Sequence, residues 1–306
     1  MYFFILLGGD GYFGRNFTKY ILPHKVLIID KHPKFSSMMP FNYIEHDLKN
    51  EIDIDKLKID VSKYEIVVIN FAAISFVDDS IANPNETIDN NLKCCINGFL
   101  FSQQLGIDTK YIYISTDEVR ANKTDETLSA YIKSKVLCER YLLEKAKTHP
   151  NIKILRPVNL MDVIDEGKPE LRQQNQCLLT KIANCPTNGY IYIHGTGEQR
   201  RMFMRMKTAC KILYDISISK INRMFNPDRL LLFDVVEYPG LRTENMKIKD
   251  IVYYLADKFY LNYSHIEDPR GKYQDETYLS NSEHVKRIDY ENSLELIFKC
   301  VVRMKM

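Results

Sequence analysis

The first half of the chain alternates short apolar runs with longer amphipathic segments. The apolar runs are rich in β-branched and aromatic residues, as strands buried on both faces should be. They are Phe3–Leu7, Val26–Ile29, Ile66–Phe71, Tyr111–Ser115 and Ile152–Leu155. The helix-compatible segments between them are Tyr12–Ile21, Asn90–Leu105 and Ala130–Lys147. This alternation predicts an α/β fold with a doubly wound parallel sheet, in which ligands bind at the carboxyl edge of the strands.

The regular alternation ends after Pro157. Beyond it, Lys168–Asn184 and Lys207–Ile221 look helical, Lys247–Lys258 has an amphipathic pattern, and turn-rich stretches separate them. We therefore predict one domain over residues 1–157. Residues 158–306 are expected to form mainly a smaller lobe, with strand and helix additions to the sheet.

The composition, with 45% hydrophobic and 27% charged residues in a chain of 306, is that of an ordinary globular protein. A formal net charge of +2 gives no electrostatic reason to expect a nucleic acid or a membrane surface as partner. Basic side chains cluster at Arg200, Arg201, Arg205 and Lys207. This cluster has two interpretations, a solvated helix face or an anion site for a ligand phosphate.

Cysteine usage indicates a reducing compartment, because seven cysteines occur with no CxxC spacing. No His lies at a zinc-like offset from two of them, so no metal site is expected. The apolar start, Tyr2–Leu7, lacks a basic flank and runs directly into glycines, which favours a first strand over a signal peptide. No apolar stretch approaches the roughly 20 residues of a membrane helix. We therefore expect a cytoplasmic protein.

Three glycines, Gly8, Gly11 and Gly14, follow the first predicted strand at the start of a helix. Glycine there lets the backbone approach a pyrophosphate, and the helix N-terminus supplies N–H groups, although a tight packing turn would also explain them. The second strand ends at Asp30, whose carboxylate could bind ribose hydroxyls and repel a 2′-phosphate, or simply be solvated. Asp47, after an apparent third strand, could reach the adenine amino group. Together these features favour NAD over NADP as cofactor.

Tyr131 and Lys135 are four residues apart, so both project from one face of the predicted helix. A nearby cation stabilises a phenolate and lowers the pKa of a tyrosine. A phenol tuned in this way is a general base for the proton of a sugar hydroxyl. The same spacing also occurs by chance on solvated helices.

The segment Ser115-Thr116-Asp117-Glu118 supports a functional interpretation of Tyr131 and Lys135. It lies at the carboxyl end of a predicted buried strand, where two consecutive carboxylates are costly unless they are paired. A polar strand cap is the structural alternative, but buried acids are frequent at functional sites. We interpret Asp117 and Glu118 as site residues.

With these motifs the sequence resembles the extended short-chain dehydrogenase/reductases, which have a Rossmann-type fold, and among them the dTDP- and UDP-glucose 4,6-dehydratases. The matching residues are Gly8–Gly14, Asp30-Lys31, Asn70–Ala73, Val77-Asp78, Ser80, Asn91, Ser115–Val119, Tyr131, Lys135, Arg156–Asn159, Gly195–Gln199, Arg201 and Pro269–Gly271. The acidic pair discriminates within the family. Related 4-epimerases carry small residues after the Ser/Thr, and decarboxylases and GDP-mannose dehydratases have Ser where this chain has Asp117.

The resemblance implies NAD-dependent dehydration of a nucleotide-diphosphate hexose to the 4-keto-6-deoxy sugar. Tyr131, assisted by Thr116, would take the proton of the 4-hydroxyl while NAD takes hydride from C4. Lys135 would hold the nicotinamide ribose and keep Tyr131 acidic. Glu118 would then remove the C5 proton, and protonated Asp117 would donate to the departing C6 hydroxyl before hydride returns to C6.

The resemblance also assigns residues to the ligands, with the cofactor on the first domain and the substrate mainly on the second. The expected cofactor-binding residues, besides Tyr131 and Lys135, are Gly8, Gly11, Tyr12, Phe13, Gly14, Asp30, Lys31, Asp47, Leu48, Phe71, Ala72, Ala73 and Ser115. The expected substrate-binding residues are Ser75, Asn159 and Arg201, with Arg201 paired to the diphosphate.

A homodimer is implied as well. In the family the helix that bears Tyr131 and the helix near Asn90–Leu105 form a four-helix bundle across a two-fold axis. The apolar contributions here would be Cys94, Cys95, Leu100, Leu137 and Tyr141. A buried face within one chain is equally consistent with these residues.

The chain departs from the family pattern around the substrate. The differing residues are Phe76, Asp79, Arg120-Ala121, Met161–Val163 and Met202-Phe203. These changes leave undetermined which sugar and which nucleotide base the substrate contains. They also leave two other functions open, a 4-epimerase or 4-ketoreductase of the same fold and a catalytically silent protein that binds NAD or a sugar nucleotide. The intact catalytic residues argue against the silent protein.

Overall fold

The computed structural model describes residues 1–32, 42–54, 63–75, 77–120, 128–161, 178–218, 246–267 and 290–305. They divide into two compact units. The first contains the described residues of 1–119, 128–157 and 210–218. The second contains residue 120 and the described residues of 158–209 and 246–305. The chain thus leaves the first unit after Pro157 and returns to it at residue 210.

The first unit is built on a six-stranded parallel sheet with the order β3-β2-β1-β4-β5-β6. Its strands are β1 (Tyr2–Leu7), β2 (Lys25–Asp30), β3 (Asn42–Glu45), β4 (Glu65–Asn70), β5 (Lys110–Ile114) and β6 (Ile152–Leu155). The order reverses between β1 and β4, as in a Rossmann-type sheet. The predicted fold class is confirmed.

The helices of this unit are α1 (Tyr12–Ile21), α2 (Val77–Ala82), α3 (Pro84–Gln104) and α4 (Ala130–Ala146), with a short 3₁₀ helix at Asp117–Arg120. Helix α1 has the predicted bounds, whereas α3 begins six residues before the predicted Asn90. Pro84 stands at its first position, where a proline's fixed φ and missing N–H cost nothing. Helix α4 is capped by Ser129, whose Oγ accepts a hydrogen bond from the N–H of Ile132 at 3.3 Å.

The core of the first unit explains the apolar runs of the sequence. Residues 3–7 of β1 are all buried, because the strand is in the middle of a sheet that is covered on both faces. Cys94, Cys95 and Cys138 lie in the same core, and burial raises the pKa of the Cys94 thiol to about 12. These cysteines therefore act as small apolar residues of the chain's own interior.

The second unit contains three two-stranded sheets. Their pairs are β7 (Asn159–Met161) with β10 (Phe203–Arg205), β9 (Arg200–Arg201) with β11 (Met246–Lys247), and β8 (Tyr190–His194) with β12 (Asn262–Ile266). Its helices are α5 (Leu178–Asn184), the start of α6 (Met206–Ile218), α7 (Ile248–Phe259) and α8 (Tyr290–Lys305). Of the predicted helix Lys168–Asn184, residues 168–177 lie outside the described residues.

The prediction that the second half adds strands to the large sheet is not met among the described residues, whose later strands pair only with one another. Strand β8 shows the physical reason. Ile191 and Ile193 are buried, while Tyr190 and Tyr192 are more than half exposed. A strand with one apolar face suits the edge of a small sheet, whereas the interior of a covered parallel sheet needs two. No helix in the described ranges is both long and apolar enough to span a membrane.

Three side chains hold the end of α6 against the first unit's sheet. Lys153 Nζ donates to the carbonyl of Ile216 at 2.8 Å, and Lys110 Nζ donates to that of Ser217 at 3.1 Å. Tyr2 donates to the carbonyl of Ile218 at 3.0 Å. The last carbonyls of a helix lack the usual intrahelical donors, and here two cations and a hydroxyl bind them and complement the helix dipole.

This arrangement makes stability depend on pH through Lys153, whose pKa is lowered from 10.5 to about 8 by burial and then by Lys110. Between these values the unfolded chain binds more protons than the folded one, so the free energy of unfolding should rise with pH. Urea unfolding at several pH values should show this rise in the wild type and a smaller one in Lys153→Met. An exposed control, Lys93→Met, should behave as the wild type. Equal slopes for all three proteins would contradict the prediction.

Candidate active site

The glycine turn between β1 and α1 has the shape that a dinucleotide requires. Gly8 has φ +67°, and a Cβ there would lie 2.6 Å from the Cα of Ala72. A Cβ on Gly14 would lie 2.5 Å from the carbonyl oxygen of Gly9. Gly11 differs, because it is exposed and its Cβ would approach only the Gly8 oxygen, at 3.3 Å. Gly8 and Gly14 thus serve packing, whereas Gly11 leaves the helix N-terminus open to a phosphate.

Carboxylates gather at the end of β2. Asp30 is buried, and its two oxygens accept hydrogen bonds from the N–H groups of Asp10 at 3.0 Å and His32 at 3.2 Å. Burial raises the pKa of the nearby Tyr43 phenol, and the charges of Asp30, Asp10 and Glu45 raise it further. This concentration of negative charge fits the ribose hydroxyls of NAD and disfavours an additional phosphate. The glycine turn and Asp30 therefore fit the predicted cofactor.

The other predicted adenosine-side residues lie on neighbouring turns. Asp47 is half-buried and accepts a hydrogen bond from the N–H of Lys49 at 3.0 Å, and Leu48 is buried. Tyr12 is half-buried in the first turn of α1, and Lys31 is exposed after β2. None of these contacts by itself assigns a ligand, so their cofactor role stays a prediction.

The turn after β4 lies over the glycine turn. Phe71 packs edge-on against Phe13 of α1, with ring centroids 5.2 Å apart. The N–H of Phe71 donates to the carbonyl of Leu7 at 2.8 Å, which continues the sheet ladder by one residue. Ala72 faces Gly8, Ala73 is half-buried and Ser75 is exposed. The family residue Phe76 lies outside the described residues.

The acidic segment sits where β5 ends. Thr116 is half-buried, Asp117 is 7% exposed and Glu118 is half-buried. The N–H of Asp117 donates to the carbonyl of Pro157 at 3.1 Å, and the N–H of Glu118 approaches Thr116 Oγ1 at 3.4 Å. The two carboxyls therefore occupy environments of different burial on one short 3₁₀ helix.

Tyr131, at the start of α4, meets this segment. Its phenol is hydrogen-bonded to the side chain of Thr116, and the negative charge of Glu118 is close enough to affect its ionisation. Burial raises the pKa of Tyr131 above its usual value, Glu118 raises it further, and the bond to Thr116 lowers it. The structure thus brings together three residues that the sequence places at positions 116, 118 and 131.

Lys135 lies one helical turn after Tyr131 and is bound to the backbone of β5. Its ammonium donates to the carbonyl of Ile114 at 2.7 Å and lies 5.8 Å from the centre of the Tyr131 ring. Lys135 is almost fully buried, and this burial lowers its own pKa. The expectation that Lys135 lowers the pKa of Tyr131 is therefore wrong for the protein alone, because burial and Glu118 dominate at the phenol.

Ser115 is bound in a way that the sequence did not indicate. Its hydroxyl donates to Glu139 Oε1 at 2.5 Å, and Arg156 binds both oxygens of the same carboxylate. Ser115 is 3% exposed. Its hydroxyl is thus bonded inside the protein, and the expected contact with the cofactor stays a prediction.

Asn91 is a further residue that was matched to the family without being predicted as part of the site. Its side chain binds both the N–H and the carbonyl of Ile74, at 2.7 Å and 3.1 Å, and donates to Ser134 Oγ at 2.8 Å. It thereby joins the turn after β4 to the helix of Tyr131. An amide on a long helix carries no signal of such a role, because its partners are 17 and 43 residues away.

The remaining candidates lie in the second unit. The N–H and the side-chain Nδ2 of Asn159 both donate to the carbonyl of Met202 at 3.2 Å. Arg201 Nη1 donates to the carbonyl of Arg200 at 2.8 Å. The basic cluster is not one helix face, because only Lys207 is helical and the arginines belong to β9 and β10. Ala121, residues 162–163 and Pro269–Gly271 lie outside the described residues.

A model of the NAD dependent epimerase/dehydratase family matches residues 4–217, more than half of the chain. The chain belongs to this family. NAD is accordingly its cofactor, and the glycine turn and Asp30 are the features of this member that fit it.

Solved structures show that this family member shares its fold with enzymes of different activities. The UDP-glucose 4-epimerase of Thermotoga maritima matches with a TM-score of 0.72 at 14% identity, covering 99% of this chain and 100% of the epimerase. The dTDP-glucose 4,6-dehydratase of Streptomyces venezuelae, solved with NAD, matches with a TM-score of 0.67 at 16% identity, over 98% and 96% of the two chains. TunA, an NAD-dependent NDP-hexosamine 5,6-dehydratase, matches with a TM-score of 0.69 at 19% identity, over 98% and 97%. Identities this low establish the fold and leave the reaction to the site residues.

The two glycine roles can be separated by substitution. Gly8→Ala should destabilise the protein by about 1–3 kcal/mol, because a side chain there meets Ala72 at a positive φ. Gly11→Ala should leave the melting temperature almost unchanged and weaken NAD binding about tenfold, or about 1.4 kcal/mol. Calorimetry of both variants, with and without NAD, measures the two effects. Similar losses of stability in both variants would show that the glycines act only in packing.

Proposed function

We propose that the protein dehydrates a nucleotide-diphosphate hexose of the UDP- or dTDP-glucose type to its 4-keto-6-deoxy product. The observation that carries this proposal is the pair Asp117 and Glu118 beside Tyr131 and Thr116. Loss of water from C5 and C6 needs one group that removes a proton and one that donates a proton. Two adjacent carboxyls can supply both.

The different burial of the two carboxyls supports different roles for Asp117 and Glu118 in the elimination of water. Asp117 is the more buried of the two, and the proposal gives it the role of the acid that donates to the departing C6 hydroxyl. Glu118 is more accessible and is placed to remove the C5 proton once C4 is a carbonyl. The bond from Asp117 N–H to Pro157 holds the backbone of this pair at the strand end.

Tyr131 is the group for the 4-hydroxyl proton. Its raised pKa means that the phenol is neutral before ligands bind, so it becomes a base only when its surroundings change. The negative charge of Glu118 opposes ionisation of the Tyr131 phenol. In this proposal Lys135, whose ammonium donates to the carbonyl of Ile114, holds the nicotinamide ribose. Bound NAD supplies the hydride-accepting and hydride-returning chemistry.

An epimerase or ketoreductase of this fold is the nearest alternative. Inversion or reduction at C4 uses the tyrosine and the cofactor, and gives no task to a buried Asp117. A silent binding protein gives no task to either carboxyl or to the bond between Thr116 and Tyr131. Dehydration is the function that uses all the residues of the site. The substrate contacts of Ser75, Asn159 and Arg201, and a cytoplasmic location, belong to the same proposal.

The test is the product. Purified protein with NAD and UDP-glucose or dTDP-glucose should yield a sugar nucleotide lighter by one water in mass spectrometry. Asp117→Asn and Glu118→Gln should each lower dehydration by about 10²-fold or more, the size of a typical acid–base contribution, while oxidation at C4 persists as absorbance of NADH. Asp89→Asn, an exposed acid on α3, should keep full activity. An unchanged mass with both nucleotides would reject dehydration, and net consumption of NADH would indicate a reductase.

The proposed homodimer rests on a smaller surface than the sequence suggested. Cys94 and Cys95 are buried in the chain's own core, and Tyr141 packs against that core. Leu100 and Leu137 remain exposed, by 43% and 37%. Sedimentation at micromolar concentration should show a dimer for the wild type and a monomer for Leu137→Glu. Ile107→Glu, at a more exposed site outside both helices, should stay dimeric, and a monomeric wild type would refute the dimer.

A further inference from the structure

A buried ion pair links the catalytic helix to the ends of two strands. Glu139 is 4% exposed and lies on α4, four residues after Lys135 and eight after Tyr131. Its carboxylate accepts hydrogen bonds from Arg156 Nε at 2.9 Å, from Arg156 Nη2 at 2.5 Å and from Ser115 Oγ at 2.5 Å. Glu139, Arg156 and Ser115 are called the clamp below.

Each member of the clamp touches a different part of the site. Ser115 immediately precedes Thr116, the residue that binds the phenol of Tyr131. Arg156 precedes Pro157, whose carbonyl holds the N–H of Asp117. Glu139 joins both to the helix that bears Tyr131 and Lys135. The acidic segment is therefore connected to Glu139 in two ways. One runs through Ser115, which precedes the segment in the chain, and the other runs through Arg156 and Pro157, which follow β6.

Stability alone is a poor explanation for this arrangement. Removing two charges from water is costly, and apolar replacements of buried ion pairs are often neutral or stabilising. What a bidentate Arg–carboxylate pair does supply is a fixed geometry, because the planar fork tolerates little displacement. A rate falls steeply when reacting groups are displaced by about 1 Å.

We propose that Glu139 and Arg156 are positioning residues, which act through Ser115 and Pro157 to hold Asp117 and Glu118 in register with Tyr131. The proposal names no new contact with a ligand. It deepens the proposed dehydration, on which its kinetic consequences rest. Its structural consequence does not depend on the reaction: the backbone of residues 116–118 should become more mobile when a member of the clamp is removed.

Glu139 also affects the charge of Lys135. Burial lowers the pKa of Lys135, and the negative charge of the Glu139 carboxylate is one of the influences that raise this pKa. The groups that face Lys135 are Cys138 and Glu139 on its own helix, Cys94 and Cys95 on α3, and the rings of Tyr113 and Tyr131. Loss of the Glu139 charge should therefore lower the pKa of Lys135 further, whereas loss of the Ser115 hydroxyl should not.

The first experiment is hydrogen–deuterium exchange of the NAD-loaded protein. Ser115→Ala and Glu139→Gln should both speed exchange at the amides of Asp117 and Glu118 by about tenfold, while β1 stays protected. Ser102→Ala removes another buried serine hydroxyl, bonded to Phe99 within α3, and should leave these amides unchanged. Glu144→Gln makes the same change as Glu139→Gln at an exposed site of α4 and should also have no effect. Unchanged exchange at Asp117 in Ser115→Ala would overturn the proposal.

The second experiment is kinetic. Ser115→Ala and Glu139→Gln should lower kcat about 10- to 100-fold and leave the KM for the sugar nucleotide within about twofold. In Glu139→Gln the alkaline limit of activity should also move to lower pH, and in Ser115→Ala it should not. A loss of activity that only follows the loss of folded protein, with an unmoved pH profile, would assign the clamp to stability alone and overturn the proposal.

The two experiments separate the proposals. A wild type that dehydrates no sugar nucleotide rejects the proposed function, and the exchange rates at Asp117 still decide the clamp. A wild type that dehydrates, with unchanged exchange in both variants, keeps the function and rejects the clamp. If Glu139→Gln does not fold, Ser115→Ala removes only one hydroxyl and gives the answer.

Discussion

A parallel sheet that is covered on both faces has no room for polar side chains except where its strands end. In this protein the residues at those ends carry the site: Asp30 closes β2, Asn70 closes β4, and Ser115 and Arg156 follow β5 and β6. Each is paired, because an unsatisfied polar group beside the core would cost several kcal/mol. Even Asn70, which is fully buried, donates to the Tyr111 hydroxyl and accepts from the N–H of Ala72. The carboxyl edge is thus polar by necessity, and the glycine turn, Asp30 and the acidic pair lie along this edge.

Burial at this edge shifts the pKa values of Tyr131 and Lys135 in opposite directions. The phenol of Tyr131 is harder to ionise than in water, and the ammonium of Lys135 is harder to keep charged. Both shifts favour neutral groups before ligands bind. Ionisation of the phenol therefore depends on the charges that surround it. A site of this kind is sensitive to small displacements, which is the setting in which a rigid carboxylate–guanidinium pair behind it becomes useful.

The family shows how little of the chain decides the reaction. An epimerase and two kinds of dehydratase share this fold with 14% to 19% identity to the present chain. Different activities on one fold mean that the reaction depends on the residues of the site and not on the fold. In this chain the candidates for that choice are Thr116, Asp117 and Glu118.

Local pattern in the sequence determined the elements of the first unit and pointed to its candidate site residues. Strands such as Phe3–Leu7 were predictable because burial on both faces demands a continuous apolar run, and α1 was predictable because the glycine turn marks its start. Tyr131 and Lys135 were predictable because helical spacing alone puts them on one face. Such features depend on neighbours within about four residues, which a sequence displays directly.

Tertiary structure decided everything that depends on residues distant in the chain. The partner of Ser115 lies 24 residues away, Cys94 and Cys95 face the interior and not a dimer, and the arginines near position 200 lie on strands. The pKa of Tyr131 rises because the fold buries it beside Glu118, against an expectation based on Lys135 alone. Charge and burial act through space over several ångströms, whereas a sequence records only order. The acidic pair could be recognised in the sequence, but the clamp behind it could be seen only once the strands and the helix were in place.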